Sequence, residues 1–462
     1  MILEKFLKFL KAPLKRIYSL IPEKIRYSKT FWDTYNFLNE SQWWSSEKIE
    51  EYQFNKLSAL LEHSYENIPY YRKIFDQRSI KPQNIRNFED LKKIPFLTKE
   101  IIRNNLNDLV ARNFRKSQLY YCTTGGSTGI PLGIYHEKYV TADIEWAYML
   151  MQWSRVGFKV GDRSVILRGT AVGSVERQNL WEYNPTIKSL ILSPYHLSEC
   201  SIVKYLNKIR EFEPDYFQAY PSLITILARF MKANGISPFK SIKAILCGSE
   251  HLYQWQRKLL EDAFGCRVYS WYGHSEQVVL AGECEVSNYY HIFPEYGIIE
   301  PIEKNEINHA EGNLHEMVST GLNNYVCPLI RYRTMDLAEF SDLKCECGRN
   351  HKLIKKIEGR MQELVITKND IIVSLTSLIF AQHFNAFSKI REMQLIQEKK
   401  GEIIVKISKI NNYDSSDEKE IFDKLSQAVN NGLDIFFEYV DCIPRAPNGK
   451  YKFLIQKLNF IS

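Results

Sequence analysis

The chain has 462 residues, 45% of them hydrophobic and 25% charged, so its composition is that of a globular protein with a large core rather than of a disordered one. Its formal net charge of +7 is concentrated in residues 1–30, which carry eight basic and two acidic side chains, so a nucleic-acid-binding surface spread over the body is disfavoured. No run approaches the ~18 apolar residues of a membrane-spanning helix, and Lys and Arg interrupt every N-terminal apolar run before a secretory signal could form.

Residues 2–21 are predicted to form a basic amphipathic helix, bent or restarted near Pro13. Its apolar side chains recur at helical spacing: Leu3, Phe6, Leu7, Leu10, Leu14, Ile17, Tyr18 and Ile21. Packing of this helix against the body is one interpretation. The other is a peripheral contact of residues 1–26 with the inner face of the membrane, in an otherwise cytoplasmic protein.

The next part of the chain alternates helical and strand-like segments. A helical pattern runs from Glu47 to Asn105 with a break at 67–69, and a second covers Tyr139–Trp153. Predicted strands are Ser164–Arg168, Tyr216–Tyr220, Ala244–Cys247 and Val268–Trp271; predicted helices are Ile202–Phe212, Leu223–Ala233 and Leu252–Phe264. This alternation indicates an α/β body with largely parallel strand pairing.

Beyond Gly297 the pattern becomes richer in strands. Predicted strands are Leu314–Ser319, Tyr325–Tyr332, Glu363–Ile366, Ile403–Ile407 and Phe436–Val440, with a helix over Asp417–Leu433. The predicted fold is α/β, with a large N-terminal domain that includes a β-rich subdomain and a small α+β C-terminal lid. The predicted domains are the N-terminal helix (1–30), the large domain (31–357) and the lid (358–462), with the boundary near 356–359.

The strongest local signal is a loop of glycines and hydroxyls, which reads Thr123, Thr124, Gly125, Gly126, Ser127, Thr128 and Gly129. Glycines let the backbone turn tightly near a ligand, and the hydroxyls add donors to the backbone N–H groups. No Gly-Lys-[Ser/Thr] follows, so this is not a P-loop NTPase. The composition favours a phosphate-binding loop over a purely structural turn.

Three further segments place polar side chains next to predicted strands. Glu276 closes the segment that begins at Trp271 and is a candidate Mg²⁺ ligand, although an exposed loop glutamate is the plainer interpretation. Asp336 ends a strand-like run and can accept hydrogen bonds from ribose hydroxyls or stabilise a turn. Lys450 and Lys452 follow an Asn-Gly turn one strand period apart, so both are expected to project from one side, although each could equally be an ordinary solvated lysine.

In this order, the four segments resemble those of the adenylate-forming (AMP-binding) superfamily, most closely its phenylacetate–coenzyme A ligase branch and the CapK-type proteins associated with capsular polysaccharide synthesis. The resemblance covers roughly residues 47–462. It includes His63–Arg72 and Ile94–Lys99, which are similar to two signatures of the branch.

The resemblance implies that a carboxylate attacks the α-phosphate of ATP, giving an acyl-adenylate and pyrophosphate, before a second nucleophile displaces AMP. Thr123–Gly129 would hold the β- and γ-phosphates. The nucleotide-binding residues implied elsewhere are Gly248, Ser249 and Glu250 lining the adenine pocket, Tyr272, Gly273, His274 and Ser275 beside it, Asp336 on the ribose and Arg360 at the domain hinge. Glu276 would hold Mg²⁺, and Lys450 would bridge the carboxylate and the α-phosphate.

Two departures from the family pattern bear on the acceptor. Gln362 stands where the hinge residue is usually Asp or Lys, and Thr367–Asp370 lacks the glycine that coenzyme A ligases of the superfamily usually carry. The expected acceptor is therefore an amine or hydroxyl in polysaccharide biosynthesis, with coenzyme A thiol as the alternative. A non-catalytic nucleotide-binding scaffold in glycan assembly is the second alternative.

The nine cysteines are an odd number and mostly scattered, as expected of reduced thiols, but Cys345 and Cys347 form a C-x-C knuckle. With Cys284 and His291 they make a candidate structural Zn²⁺ set of three thiolates and one imidazole. His351 competes for the fourth position. The branch includes members with a similar zinc site, which strengthens this prediction over unliganded cysteines.

Overall fold

The computed structural model describes residues 12–123, 132–168, 179–194, 199–303, 314–360, 364–369, 372–379, 386, 389–410, 412–429, 431–444 and 452–458. Within these ranges the helices are α1 (Ala12–Ser19), α2 (Glu23–Arg26), α3 (Lys29–Ser41), α4 (Ser46–Asn67), α5 (Pro69–Gln77), α6 (Lys99–Asn105), α7 (Thr141–Ser154), α8 (Glu199–Phe212), α9 (Pro221–Ala233), α10 (Gln254–Phe264), α11 (Leu375–Ile379) and α12 (Ser415–Ala428). Short 3₁₀ turns cover Pro82–Asn84, Phe88–Lys93 and Lys116–Gln118.

The strands of the first two-thirds of the chain are β1 (Leu119–Thr123), β2 (Gly133–Glu137), β3 (Ser164–Leu167), β4 (Trp181–Asn184), β5 (Ser189–Leu192), β6 (Tyr216–Ala219), β7 (Ala244–Cys247), β8 (Arg267–Gly273), β9 (Leu280–Gly282), β10 (Tyr290–Ile292) and β11 (Gly297–Ile302). The later strands are β12 (Leu314–Gly321), β13 (Tyr332–Ser341), β14 (Leu353–Arg360), β15 (Leu364–Ile366), β16 (Ile372–Ser374), β17 (Ile390–Gln397), β18 (Glu402–Lys409), β19 (Asp434–Tyr439) and β20 (Leu454–Gln456).

A large sheet organises the first 360 residues, with strand order β11-β12-β13-β14-β10-β9-β8-β7-β6-β3-β5-β4. Its middle, β5-β3-β6-β7-β8, is parallel. β3, β6 and β7 are buried at every residue, as expected of parallel strands covered on both faces. Beyond β8 the sheet continues through β9, β10, β14, β13, β12 and β11, and each of these strands pairs antiparallel with the one before it. The predicted β-rich region therefore extends the sheet from the β8 side of the parallel strands.

The C-terminal region forms a separate four-stranded sheet of order β19-β18-β17-β20. Its apolar residues make a core of their own, including Leu395, Val405, Ile421 and Leu425. The predicted small α+β unit is therefore present. The predicted boundary near 356–359 falls in β14, a strand of the large sheet, and the division at 357/358 stays a prediction.

Local sequence accounts for several helix ends. α9 begins with Pro221 at its first position, where the missing N–H has no intrahelical acceptor to lose. α10 ends at Phe264 and is capped by Gly265, whose φ of +67° is the left-handed conformation that residues with a Cβ disfavour. Among the described residues, no helix has the length and apolarity needed to cross a membrane.

Two predictions about elements are wrong. The Tyr325–Tyr332 strand does not form, because the side chain of Asn324 accepts the N–H groups of Val326 and Cys327, and Tyr71 bonds the carbonyl of Pro328. This apolar run is a buried loop satisfied by side chains, and the strand begins only at Tyr332. The last helix ends at Ala428 instead of Leu433.

Candidate active site and metal centre

The phosphate-loop candidate is carried by the hairpin of β1 and β2. Thr123 ends β1 and pairs with Gly133, the first residue of β2. Residues 124–129 of the predicted loop lie outside the described residues. At Gly133 an added Cβ would lie 2.0 Å from the Tyr121 hydroxyl, so a side chain there would displace the tyrosine that covers the hairpin.

The Gly248–Glu250 segment directly follows β7. A Cβ at Gly248 would lie 2.3 Å from the indole of Trp271, so glycine lets the chain pass against this ring. The Glu250 carboxylate accepts hydrogen bonds from the backbone N–H (3.0 Å) and hydroxyl (3.1 Å) of Ser222, in the first turn of α9. A carboxylate there complements the helix dipole, so Glu250 fixes the segment onto α9. Its contact with adenine stays a prediction.

Glu276 is buried, with 5% of its surface exposed, so the interpretation as an exposed loop residue is wrong. The Tyr332 hydroxyl donates to its Oε1 at 2.9 Å, and His274 Nδ1 lies 3.7 Å from its Oε2. Burial raises the pKa of this carboxyl, but the charges of His274 and Lys99 and the tyrosine hydrogen bond outweigh it and lower the pKa overall. Glu276 is therefore ionised at neutral pH although it is buried.

Asp336 lies on β13 and is also buried. Its backbone pairs in register with Arg360 of β14, and its N–H donates to the Thr334 hydroxyl at 3.1 Å. The Tyr272 hydroxyl at the end of β8 donates to Asp336 Oδ2 at 2.5 Å. The structure thus brings together two predicted site residues from distant parts of the sequence.

The sequence interpretation missed three residues of this region. Leu97 pairs with Tyr332, which brings Lys99, the first residue of α6, near Glu276. The positive charge of Lys99 helps to lower the pKa of Glu276. His136 on β2 is buried beside the backbone of Ser275, and burial lowers its pKa to about 4. The Ile94–Lys99 signature could have identified Lys99, whereas nothing local singled out His136 or Tyr332.

The C-terminal lysine segment is only partly described. Lys450 lies outside the described residues, whereas the carbonyl of Lys452 accepts a hydrogen bond from Gln394 on β17 at 2.8 Å. The small domain also contacts the large one. Arg229 Nη1 on α9 donates to the carbonyls of Ile390 and Arg391, both at 3.1 Å.

A second cluster of chemically active side chains lies at the junction of β9, β10 and β14. One ligand atom each from Cys284, His291, Cys345 and Cys347 lies within 4.8 Å of the others. Cys284 Sγ is 3.7 Å from Cys345 Sγ, and Cys347 Sγ is 3.8 Å from His291 Nε2. A tetrahedral ion with Zn–S bonds of about 2.3 Å holds its sulfur ligands about 3.8 Å apart, so the spacing fits such an ion.

The backbone around the cluster suits sulfur ligands. The N–H groups of Val286 and Ser287 donate to Cys284 Sγ at 3.4 and 3.3 Å. Gly348 turns the knuckle with φ of +83°. Burial raises the pKa of Cys345, whereas the N–H and guanidinium of Arg349 outweigh burial at Cys347 and lower its pKa.

Two histidines and two arginines lie close together here. Burial, reinforced by Arg155 and Arg349, lowers the pKa of His291 to about 3 and keeps its imidazole neutral, the form that binds metal. His351 is buried 6.0 Å away, ring centroid to ring centroid, and does not belong to the four-residue cluster. The geometry therefore favours His291 over His351 as the fourth ligand.

Comparisons with known proteins agree with this architecture. Residues 365–457 match the family profile described as the CapK C-terminal domain. The chain is 25% identical to protein CapK of Staphylococcus aureus over 94% of both chains. It is 28% identical to a phenylacetate–coenzyme A ligase of Aromatoleum evansii, over 70% of this chain and 73% of that protein.

Solved structures extend the agreement to the fold. A crystal structure of 2-hydroxyisobutyryl-CoA ligase, in the postadenylation state with R3-HIB-AMP, matches with a TM-score of 0.68 at 14% identity, covering 90% of this chain and 91% of that one. The same ligase with 2-HIB-AMP also gives 0.68, at 16% identity over 89% and 90%. The predicted fold class is confirmed.

Proposed function

We propose that this chain, which is similar in sequence to CapK and to the phenylacetate–coenzyme A ligases, is an AMP-forming ligase that activates a carboxylic acid with ATP. The acid would attack the α-phosphorus of ATP, forming the acyl-adenylate as pyrophosphate leaves. An acceptor would then displace AMP.

Two buried carboxylates carry this proposal: Glu276, just beyond β8, accepts a hydrogen bond from Tyr332 of β13, and Asp336 of β13 accepts one from Tyr272 of β8. Ligands of α/β proteins bind at the carboxyl ends of such strands. Here a buried, ionised carboxylate lies beside His274, while a second buried carboxylate, Asp336 on β13, accepts a hydrogen bond from Tyr272 near the end of β8. A non-catalytic scaffold would have no need of a buried Glu276, whose desolvation costs free energy.

Each side chain would have a defined role. Asp336 would accept hydrogen bonds from the ribose hydroxyls, and the Tyr272 ring would lie against the adenine. Glu276 would hold Mg²⁺, a cation that prefers carboxylate and phosphate oxygens and supplies charge to the phosphates when bound. Lys450 would place positive charge beside the α-phosphate, where negative charge develops.

The proposed acceptor is an amine or hydroxyl group in polysaccharide biosynthesis. The likeness to CapK covers 94% of this chain and includes its C-terminal region. Gln362 and the missing glycine of Thr367–Asp370, the two departures from the coenzyme A ligase pattern, support this choice of acceptor. The specific alternative acceptor is the thiol of coenzyme A, because several similar proteins are named as coenzyme A ligases.

We also propose that Cys284, His291, Cys345 and Cys347 hold a structural Zn²⁺. The match between their separations and a tetrahedral ion supports this assignment. Three thiolates and an imidazole leave no open coordination position, so the ion would join the loop before β14 to β10 rather than take part in the reaction.

A screen of carboxylic acids by ATP–pyrophosphate exchange, followed by hydroxylamine trapping of the acyl-adenylate, tests the proposal. We expect exchange and a hydroxamate with at least one acid class, each requiring ATP and Mg²⁺. Adding candidate sugar amines, sugar alcohols or coenzyme A then identifies the acceptor by AMP release. Nucleotide binding without exchange for any acid would favour the scaffold instead.

A further inference from the structure

The N-terminal helices leave a row of apolar side chains facing away from the body. Ile17, Leu20, Ile21 and Ile25 are 63%, 82%, 36% and 73% exposed. Ile17 lies on α1, Leu20 and Ile21 in the turn that follows, and Ile25 on α2, so the four exposed apolar side chains fall within nine consecutive residues. We call these four side chains the N-terminal apolar row.

The segment that carries this row is tied to the large domain. Arg26 Nη1 donates to the carbonyl of Thr186 at 2.5 Å, and the Tyr18 hydroxyl donates to the carbonyl of Arg26 at 3.4 Å. α3, which follows directly, buries Phe31 and Leu38 in the core that it shares with α7. The helices are thus held in place while the side chains of the row remain exposed to solvent.

Positive charge surrounds the row. Arg16 and Lys24 are exposed, whereas the acidic Glu23 is paired with Arg26 at 3.4 Å. Four more lysines precede Arg16 in the sequence against one acidic residue. The segment therefore combines exposed apolar side chains with an excess of basic over acidic residues.

We propose that this segment docks the protein on an anionic phospholipid surface, with the N-terminal apolar row entering the boundary between headgroups and acyl chains. Apolar burial and attraction of basic side chains to anionic headgroups reinforce each other at such a surface. A second copy of the chain would also cover the row. It would, however, bring two strongly positive segments together, so charge favours the membrane.

Flotation of the full-length protein with vesicles tests this proposal. The vesicles contain phosphatidylcholine alone or with about 30% phosphatidylglycerol, in low salt and in about 0.5 M salt, where charge attraction is strongly screened. We expect binding to the anionic vesicles that falls at least about fivefold in high salt. Vesicle binding that is equally strong with and without phosphatidylglycerol, and in low and high salt, would overturn the assignment to an anionic surface.

Two variants identify the residues responsible. The double variant Leu20→Glu with Ile25→Glu is expected to reduce vesicle binding at least about tenfold, and Arg16→Glu with Lys24→Glu to reduce it severalfold. Phe436→Glu, at an exposed apolar residue of the small domain, is the matched control and should bind like the wild type. All variants are checked for an unchanged melting temperature.

Other outcomes contradict the proposal outright. Wild-type protein that stays with the unbound fraction, or a Leu20→Glu, Ile25→Glu variant that floats normally, would overturn it. A concentration-dependent dimer that this variant abolishes, without vesicle binding by the wild type, would assign the row to a second copy. Acid-dependent ATP–pyrophosphate exchange without vesicles is independent of all these results.

Discussion

The hydroxyl of Tyr272 donates a hydrogen bond to Oδ2 of Asp336, 64 positions further along the chain. Tyr272 is the next-to-last residue of β8, at the edge of the parallel strands, and Asp336 lies on β13 in the antiparallel extension. A nucleotide whose ribose hydroxyls engaged Asp336 would share or replace this bond. Adenine and ribose recognition would therefore depend on the same pair of side chains.

Removing the Asp336 carboxylate should weaken ATP binding. Asp336→Ala is expected to raise the KM for ATP about 10- to 100-fold, the loss of charged hydrogen bonds worth about 1.5–3 kcal/mol, with a much smaller rise for the acid. Tyr272→Phe keeps the ring and should change the KM for ATP less than about fivefold. Equal rises for ATP and acid in Asp336→Ala would indicate a general folding defect and contradict the ribose role.

Glu276→Gln tests the proposed Mg²⁺ ligand. The substitution keeps the shape of the side chain but removes its charge, so exchange should fall on the order of 10²-fold, and raising Mg²⁺ should restore it only in part. Tyr332→Phe, which removes the hydrogen bond but leaves the carboxylate, is the matched control and should cost about tenfold or less. Near-wild-type exchange in Glu276→Gln would remove Glu276 from the mechanism.

Metal analysis of untagged protein tests the zinc centre. The wild type should hold about one equivalent of zinc, and Cys347→Ser should lose most of it and melt at a lower temperature, because structural metal binding contributes to folding. Cys442→Ser, at an exposed cysteine outside the cluster, should keep its zinc. Less than about half an equivalent in the wild type would contradict a stoichiometric site.

The contact between Arg229 and the carbonyls of Ile390 and Arg391 should favour one arrangement of the two domains. Arg229→Gln is expected to slow acid-dependent exchange severalfold and to broaden the domain arrangement seen by small-angle scattering. Arg210→Gln, at an arginine that stacks on Phe239 within the large domain, is the control. Unchanged scattering and exchange in Arg229→Gln would show that the contact does not matter.

Much of the fold was predictable because the parallel strands are short, apolar and bounded by breakers. Ala244–Cys247 was predicted with the observed bounds, and the helix over Ile202–Phe212 differs only in its first turn. Tyr325–Tyr332 has the same apolar character, but the side chains of Asn324 and Tyr71 hydrogen-bond its backbone, and no strand forms. Tyr71 lies more than 250 positions away from Pro328, so a local sequence pattern cannot predict this hydrogen bond.

The candidate site was predictable to the extent that it follows motifs. Glu276 and Asp336 stand in recognisable segments, and the resemblance to the adenylate-forming superfamily assigned both to the nucleotide site, which stays a prediction. The burial of Glu276, its bond from Tyr332 and its proximity to Lys99 arise from strand pairing across the sheet. Such long-range contacts leave no periodic trace in the sequence.

The central claim is best tested by the two half-reactions of Lys450→Ala. ATP–pyrophosphate exchange should fall about 10²–10³-fold through loss of a preorganised charge at the α-phosphate, with ATP binding nearly intact. Acyl transfer from a synthetic acyl-adenylate should survive, and Lys452→Ala should be mild in both assays. Equal slowing of both half-reactions by Lys450→Ala, or a larger loss in Lys452→Ala, would contradict the account.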